Sequence, residues 1–188
     1  MSFYRRNLPH WIPEGTAIFL TWRLYGSLPK KVARKLATLS SPPGEQFLAL
    51  DLYLDSASSG PRWLADREIA DYAQWPIERG AELGRYLLHA YVIMPNHVHV
   101  LLEPRIPLAK ITNVMKGVAA RDANATLGRT GKPFWQDESF DHWVRSPAEL
   151  EGIRHYIEWN PVKAGLAAQP QDWPWSSATM RKRGVIQG

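Results

Sequence analysis

The order of apolar segments along the 188-residue chain predicts an α+β fold, a ferredoxin-like βαββαβ sandwich with an antiparallel sheet. Three observations support this prediction. Some segments have apolar residues at alternating positions, which is typical of strands, and others have them at every third or fourth position, which is typical of helices. The third observation is the order of these segments. The two kinds follow one another as strand, helix, two strands, helix, strand and helix, which leaves one additional helix at the carboxyl side.

The first half of the chain supplies the first strand and the first helices. Residues 16–24, TAIFLTWRL, alternate and are rich in β-branched and aromatic side chains, which predicts a strand. A short basic helix is predicted at 30–39, and the SSPPG cluster at 40–44 ends it. The following stretch, which contains LALDLYL and SSGP, is interpreted as a connection. Residues 65–84 are predicted to be helical but divided in two by Pro76.

The middle of the chain predicts a hairpin, a helix and a further strand. Two strands are expected within residues 85–103, because Pro95 and Asn96 in MPNH supply turn chemistry between them. Residues 108–127 predict an amphipathic helix, and FWQDESFDHWVR at 134–145 predicts the fourth strand. The apolar stripe of the predicted helix consists of Ile111, Val114, Met115 and Val118.

The last helix has clear signals at both ends. Ser146, Pro147 and Glu149 form a capping box with proline at the first helical position, and Pro161 predicts an end near Asn160.

Two faces of this last helix can be read from residue spacing. Gly152, Tyr156 and Asn160 are four residues apart and share one face, which therefore presents a phenol beside an amide. The neighbouring stripe, which is expected to dock on the sheet, consists of Leu150, Ile153 and Ile157.

Two histidines in the hairpin project in the same direction. His97 and His99 are separated by one residue in a predicted strand, where side chains alternate between faces. Two such imidazoles can hold a metal ion, but ordinary hydrogen-bonded histidines also occur in this pattern, so the residues alone leave both interpretations open. Because the chain has no cysteine, thiolate metal sites, disulfides and thiol nucleophiles are excluded.

Composition and charge restrict the class of protein. The length and the 45% hydrophobic content predict one domain over residues 1–188. A net charge of +5 favours a polyanionic partner. The sequence has no signal-peptide pattern and no apolar run long enough to span a membrane, so we expect a cytoplasmic protein without a membrane partner.

Four segments together resemble the REP-associated tyrosine transposases, relatives of the IS200-like, single-tyrosine HUH transposases. They are MPNHVHVLL, FWQDESFDHWVR, YIEWNPVKAG and DWPWSS, and the resemblance extends from about Gly15 to Ala178. It implies a single transposase-type catalytic domain with a core at about 15–178 and a basic tail at 179–188. It implies a ferredoxin-like, metal-dependent endonuclease and strand transferase that acts on single-stranded DNA. Such an enzyme cuts next to palindromic hairpins through a covalent 5′-phosphotyrosine intermediate.

The resemblance also assigns site residues. It places the nucleophile on Tyr156, two metal ligands on His97 and His99, and the polar residue one turn beyond the nucleophile, a further metal ligand, on Asn160. His142 and His155 are rival candidates for a metal ligand. His155 is less favoured because it points about 100° away from the tyrosine on a helix, and His142 more simply supports its strand.

The cofactor and partners follow from the same resemblance. A divalent ion, Mg²⁺ or Mn²⁺, is expected, although Zn²⁺ also binds histidine, and no small-molecule cofactor is expected. The expected partner is single-stranded DNA with hairpins, bound by a monomer or homodimer in a bacterial cytoplasm. Candidate DNA contacts are Lys163, Lys116, Arg121, Lys132 and Trp159, with Trp135 and Trp143 as further stacking candidates.

Two other functions fit the residues. A metallohydrolase could use the histidines to activate water and have no covalent step. A domesticated DNA-binding protein could hold hairpins without cutting them.

Overall fold

Four strands form one antiparallel sheet with the order β2-β3-β1-β4. The structure is a computed structural model that describes residues 15–37, 42–56 and 59–182. The strands are β1 (Ile18–Leu24), β2 (Tyr86–Ile93), β3 (His97–Pro104) and β4 (Trp135–Trp143). The predicted α+β, ferredoxin-like sandwich is confirmed, including the hairpin between β2 and β3.

Helices cover both faces of this sheet. They are α1 (Lys30–Ala37), α2 (Pro43–Ser56), α3 (Arg67–Glu82), α4 (Leu108–Thr126), α5 (Pro147–Lys163) and α6 (Ser177–Lys182). On one face, α3 and α4 pack over a core that includes Leu20 and Val100. On the other face, α2 and α5 pack over a smaller core that includes Phe19 and Ile157. No helix in the described ranges is both long and apolar enough to cross a membrane.

The stretch that was interpreted as a connection is the helix α2. Phe47, Asp51 and Leu54 lie on its buried side at helical spacing, whereas Leu48 and Leu52 are exposed. The sequence LALDLYL did not indicate a helix because leucine stands at every second position, an alternation that is typical of a strand. The interpretation was therefore wrong, and α2 adds a helix to the smaller core.

Two helices continue through prolines at which they were expected to break or end. The helix α3 is unbroken through Pro76, and α5 continues through Pro161 to Lys163 instead of ending near Asn160. Each proline removes one helical hydrogen bond. Both proline side chains are buried, so packing offsets the loss, and the two predicted boundaries are wrong.

The amphipathic helix predicted at residues 108–127 is α4, but its buried face is rotated from the predicted stripe. Val114 is 42% exposed and Val118 is only partly buried. The buried face consists instead of Leu108, Ile111, Thr112, Met115, Ala119 and Ala123. The difference arises because α4 packs against α3 as well as against the sheet.

A modified capping box fixes the start of α5. Oγ of Ser146 accepts a hydrogen bond from the backbone N–H of Glu149 at 3.2 Å. The Glu149 carboxylate returns to the backbone N–H of Arg145 at 2.6 Å, and it also lies 2.8 Å from Nε2 of His142 in β4. These bonds tie the first turn of α5 to the edge strand β4. They therefore fix the position of the helix over the sheet.

The segment after α5 is folded back against the sheet. Ser176 forms a bridge with Val92 of β2, and α6 follows it. The basic tail predicted at 179–188 therefore begins within α6, while residues 183–188 lie outside the described residues.

Candidate active site

His97 and His99 lie side by side at the start of β3, on the face that α2 and α5 cover. Both side chains are fully buried, and their Nε2 atoms are 3.1 Å apart. The alternation of the strand produces this common direction.

Hydrogen bonds to the other ring nitrogens orient both imidazoles. Nδ2 of Asn96 donates to the carbonyl of Leu54 at 2.9 Å, so its Oδ1, 2.7 Å from Nδ1 of His97, is an acceptor. This network assigns the His97 proton to Nδ1 and leaves the lone pair of Nε2 directed toward His99. Nδ1 of His99 lies 2.7 Å from the hydroxyl of Thr21. Metal-binding imidazoles are usually held in this way through their second nitrogen.

Asp51 of α2 joins the two histidines. Its Oδ1 lies 3.1 Å from Nε2 of His99 and 3.5 Å from Nε2 of His97. The three side chains form a buried group that could hold a metal ion. Sequence reasoning did not identify Asp51 because α2 was interpreted as a connection. Its helical spacing from Phe47 and Leu54 is the signal that could have found it.

The helix α5 brings the predicted nucleophile to the same carboxylate. The hydroxyl of Tyr156 donates a hydrogen bond to Oδ2 of Asp51. Nδ2 of Asn160, a fully buried residue, donates to this Oδ2 at 3.3 Å and lies 3.4 Å from Nε2 of His99. Nζ of Lys163 lies 4.5 Å from the centre of the Tyr156 ring. The four residues predicted as nucleophile and metal ligands therefore meet at one place.

Burial controls the protonation of this group. Burial, with the neighbouring imidazole of His99, lowers the pKa of His97 to about 3, so its ring is neutral at pH 7. Burial, with the charge of Asp51, raises the pKa of Asp55 to about 7. Burial and the Asp51 carboxylate also hold the pKa of Tyr156 above its usual range. The arrangement thus presents a neutral imidazole beside a phenol that keeps its proton.

The group contains more buried acceptors than donors. Within the part of the chain that the structure describes, Oδ1 of Asp51, Oδ1 of Asp55 and Oδ1 of Asn160 accept no hydrogen bond. A buried polar atom without a partner costs about 1–3 kcal/mol. A divalent cation satisfies such oxygens, and a mixed set of imidazole nitrogens and oxygens suits Mn²⁺, Mg²⁺ or Zn²⁺. The residues present therefore fit a divalent cation.

Several other candidates are held in structural contacts. His142 is bonded to the capping carboxylate of α5 at 2.8 Å, and the ring of His155 stacks on Trp159 with centres 5.3 Å apart. Both histidines are thus engaged outside the group formed by the metal-ligand candidates. Trp135 is 7% exposed and therefore offers no open stacking surface, and Trp143 is partly buried against the larger core.

The predicted DNA contacts lie on two sides of the sheet. Lys163 and Trp159 belong to α5 and lie near the tyrosine. Lys116 and Arg121 belong to α4 on the opposite face, and Lys132 lies in the loop after that helix. Lys116 donates to a backbone carbonyl of β4 at 3.2 Å, and burial lowers its pKa. The structure therefore does not bring these five residues into one patch.

Comparison with protein families matches residues 63–160 to the family described as Transposase IS200 like. This range is more than half of the 188-residue chain. It contains the two histidines, the tyrosine and the asparagine described above, whereas α2 precedes it.

Two curated proteins are similar over part of the chain. A Haemophilus influenzae protein with a provisional name as a REP-associated tyrosine transposase is 29% identical over 100 residues, which are 47% of this chain and 56% of that protein. The REP-associated tyrosine transposase of Escherichia coli is 27% identical over 90 residues, 48% of this chain and 53% of that protein. The chain thus spans about half the length of the curated relatives it matches.

One solved structure has the same fold along the whole chain. It is a REP-associated tyrosine transposase bound to a REP hairpin, with a TM-score of 0.61 and 19% identity, and the match covers 100% of this chain and 89% of that one. At this identity the likeness shows the fold. Together with the family match over residues 63–160, it leads to one conclusion: this chain belongs to the IS200-like transposase family.

Proposed function

We propose that this protein is a metal-dependent endonuclease and strand transferase that cuts single-stranded DNA next to palindromic hairpins. The observation that carries the proposal is the convergence of Tyr156, Asn160 and both imidazoles of the His97/His99 pair on one carboxylate. A nucleophile and a set of metal ligands within hydrogen-bonding distance of one another are what phosphoryl transfer through a covalent enzyme intermediate requires.

The reaction follows from the atoms present. The phenol of Tyr156 releases its proton, and its oxygen forms a bond to the scissile phosphorus. The bond from phosphorus to the 3′ oxygen breaks, and the 3′ oxygen leaves as a hydroxyl. The product is a 5′-phosphotyrosine, which conserves the energy of the cut phosphodiester, so the 3′-hydroxyl of a second strand can reseal it without ATP.

The residues share the task of making the phenol reactive. For a free tyrosine with a pKa near 10, forming the phenolate at pH 7 costs about 4 kcal/mol. In our proposal His97, His99 and Asn160 hold Mg²⁺ or Mn²⁺, with Asp51 as an additional ligand from α2. When bound, the cation supplies positive charge for a non-bridging phosphate oxygen and for the phenolate. The ammonium of Lys163 beside the ring adds a second positive charge.

The DNA partner is supported by charge and by a relative. The chain carries a net charge of +5, and the solved relative is bound to a REP hairpin. We propose that Lys163 contacts the phosphate beside the cleavage site and that Trp159 stacks on an unpaired base. Lys116, Arg121 and Lys132, across the sheet, would contact the hairpin backbone away from the cleavage site.

The remaining expectations complete the proposal. Residues 1–188 act as one catalytic domain with a basic tail, as a monomer or homodimer, without a small-molecule cofactor and in a bacterial cytoplasm. The hairpin substrate is to be sought in short palindromes that flank the gene.

The decisive experiment is a denaturing gel with labelled single-stranded hairpins from the gene's flanks and Mn²⁺. Wild type should give a labelled covalent protein band and a free 3′-hydroxyl product, while Tyr156→Phe and His97→Ala give neither. Tyr25→Phe, which changes an exposed tyrosine outside the site, is the matched control and should retain the band.

The same gel separates the competing functions. Cleavage that persists in Tyr156→Phe would refute the covalent mechanism and favour a metallohydrolase. Tight hairpin binding without any cleavage, surviving the loss of both histidines, would favour a domesticated DNA-binding protein.

A further inference from the structure

The proposed metal ligands are closed off from solvent, and the proposed nucleophile Tyr156 is partly buried above them. His97, His99 and Asn160 are each 0% exposed, and Asp51 is 1% exposed. A scissile phosphodiester must contact both the phenol oxygen of Tyr156 and the His97/His99 pair. It also carries a nucleotide on each of its two ester oxygens, which needs further space. No phosphodiester can enter this arrangement as it stands, so some element must move.

The helix α2 is the element that separates the site from solvent. The Phe47 ring stacks on Phe140 of β4, with ring centres 4.2 Å apart. The carbonyl of Leu54 accepts the hydrogen bond from Asn96, and Asp51 between them accepts the bond from Tyr156. The remaining elements around the site are strands of the central sheet and α5, which is fixed to β4 by its capping box.

Asp51 makes the contacts that a substrate phosphate would need. One of its oxygens accepts from the Tyr156 hydroxyl, and the other lies 3.1 Å and 3.5 Å from the two Nε2 atoms of His99 and His97. An attacked phosphodiester must likewise lie against the phenol oxygen and turn a non-bridging oxygen toward the metal side. Both groups are monoanions that present two oxygens, so they compete for one position.

We propose that α2 is an autoinhibitory helix, in which the Asp51 carboxylate occupies the position of the scissile phosphate and single-stranded DNA must displace it. This inference rests on the proposed function. With a cation bound, Asp51 would be one of its ligands in the closed state and would give up this position to the substrate phosphate in the open state. The Asn160 amide and the histidine pair stay with the sheet and α5 in both states.

The movement itself is the first test. Hydrogen–deuterium exchange of wild type is measured with and without the labelled hairpin, in a chelating buffer that prevents cleavage. Amides of residues 44–56 should exchange about tenfold faster in the complex, because α2 loses its packing. Exchange in α2 that is unchanged or slower in the complex would overturn the proposal. Amides of β3 are the internal reference and should stay protected.

Hairpin affinity of Asp51→Ala is the second test. A hydrogen bond to a charged group is worth about 1.5–3 kcal/mol, so removing the carboxylate should strengthen hairpin binding at least about tenfold in fluorescence anisotropy. Glu45→Ala removes the same charge from an exposed position on α2 and should bind like wild type. Weaker hairpin binding by Asp51→Ala would refute competition with phosphate.

Mn²⁺ binding tests whether Asp51 leaves the metal ion when DNA binds. In calorimetric titrations with Mn²⁺ alone, Asp51→Ala should bind the ion more weakly than wild type, and the hairpin should remove this difference. A difference in Mn²⁺ affinity between Asp51→Ala and wild type that persists with DNA would show that Asp51 stays on the metal and would refute the proposal. If wild type neither binds hairpins nor forms a covalent band, the proposed function has failed; if it does both while α2 stays closed, the autoinhibitory role alone has failed.

Discussion

Replacing Asp55 by asparagine should stabilise the metal-free protein, and the gain should grow as pH rises. The Asp55 side chain is 13% exposed, and its Oδ1 lies 3.7 Å from Nε2 of His97 without accepting a hydrogen bond from any described residue. Burial and the charge of Asp51 raise the pKa of Asp55 from 3.8 to about 7. The folded protein therefore keeps a proton on this carboxyl that the unfolded chain has already released.

The sign and size of the effect follow from proton linkage. Between the unfolded pKa and the folded pKa, the folded state binds more protons, so raising the pH lowers the free energy of unfolding. The slope is at most about 1.4 kcal/mol per pH unit and halves at the folded pKa, so the change is about 2 kcal/mol between pH 5 and pH 7. Asparagine has no proton to lose. The difference in stability between Asp55→Asn and wild type should therefore widen by that amount and level off near pH 8.

Urea denaturation in EDTA at pH 5, 6, 7 and 8 measures this difference. Comparing the two proteins at each pH removes the contribution of His97, whose lowered pKa destabilises both proteins alike in acid. Glu45→Gln, an exposed carboxylate on the same helix, is the control and should run parallel to wild type. A constant offset between Asp55→Asn and wild type across this range would refute the reasoning, because it would show that Asp55 is ionised throughout.

Two further substitutions test the packing of α3 and the surroundings of the nucleophile. Gly80→Ala places a Cβ into the buried ring of Tyr86 and should cost about 1–3 kcal/mol in urea denaturation, whereas Gly117→Ala, with open space around its Cβ, should cost nothing. Equal effects of the two changes would contradict the predicted overlap. Lys163→Met removes the ammonium 4.5 Å from the Tyr156 ring and should slow covalent-band formation about tenfold in quenched gels while leaving Mn²⁺ binding intact. An unchanged rate would exclude a role for this charge.

Local patterns were sufficient for most of the sheet and for one half of the site. The alternation around Pro95 and Asn96 predicted the hairpin, and with it the common direction of the two histidines. Capping signals located α5, and helical spacing placed Tyr156 and Asn160 on one of its faces. The structure adds the packing that brings the strand and helix together.

The other half of the site could not be read in the same way. The leucines of α2 alternate with the period of a strand, but Leu48 and Leu52 are exposed in the helix, so this pattern does not indicate which residues are buried. The bond between Asp51 and Tyr156 joins residues 105 positions apart, and no local rule encodes such a pair. Proline rules failed at Pro76 and Pro161 because they describe an isolated helix, whereas tertiary packing compensates for the missing hydrogen bond.

The helix α2 lies outside the part of the chain that the family match covers. The family match begins at residue 63, so both histidines, Tyr156 and Asn160 lie inside it, and the helix of Asp51 lies before it. In our proposals, the residues that cut DNA and the helix that controls access to them therefore lie in different stretches of sequence. We expect that exchanging residues 43–56 between relatives would change how readily a strand is admitted and would leave the proposed nucleophile and histidine pair in place. Cutting and access to the site can therefore diverge at independent rates within one fold.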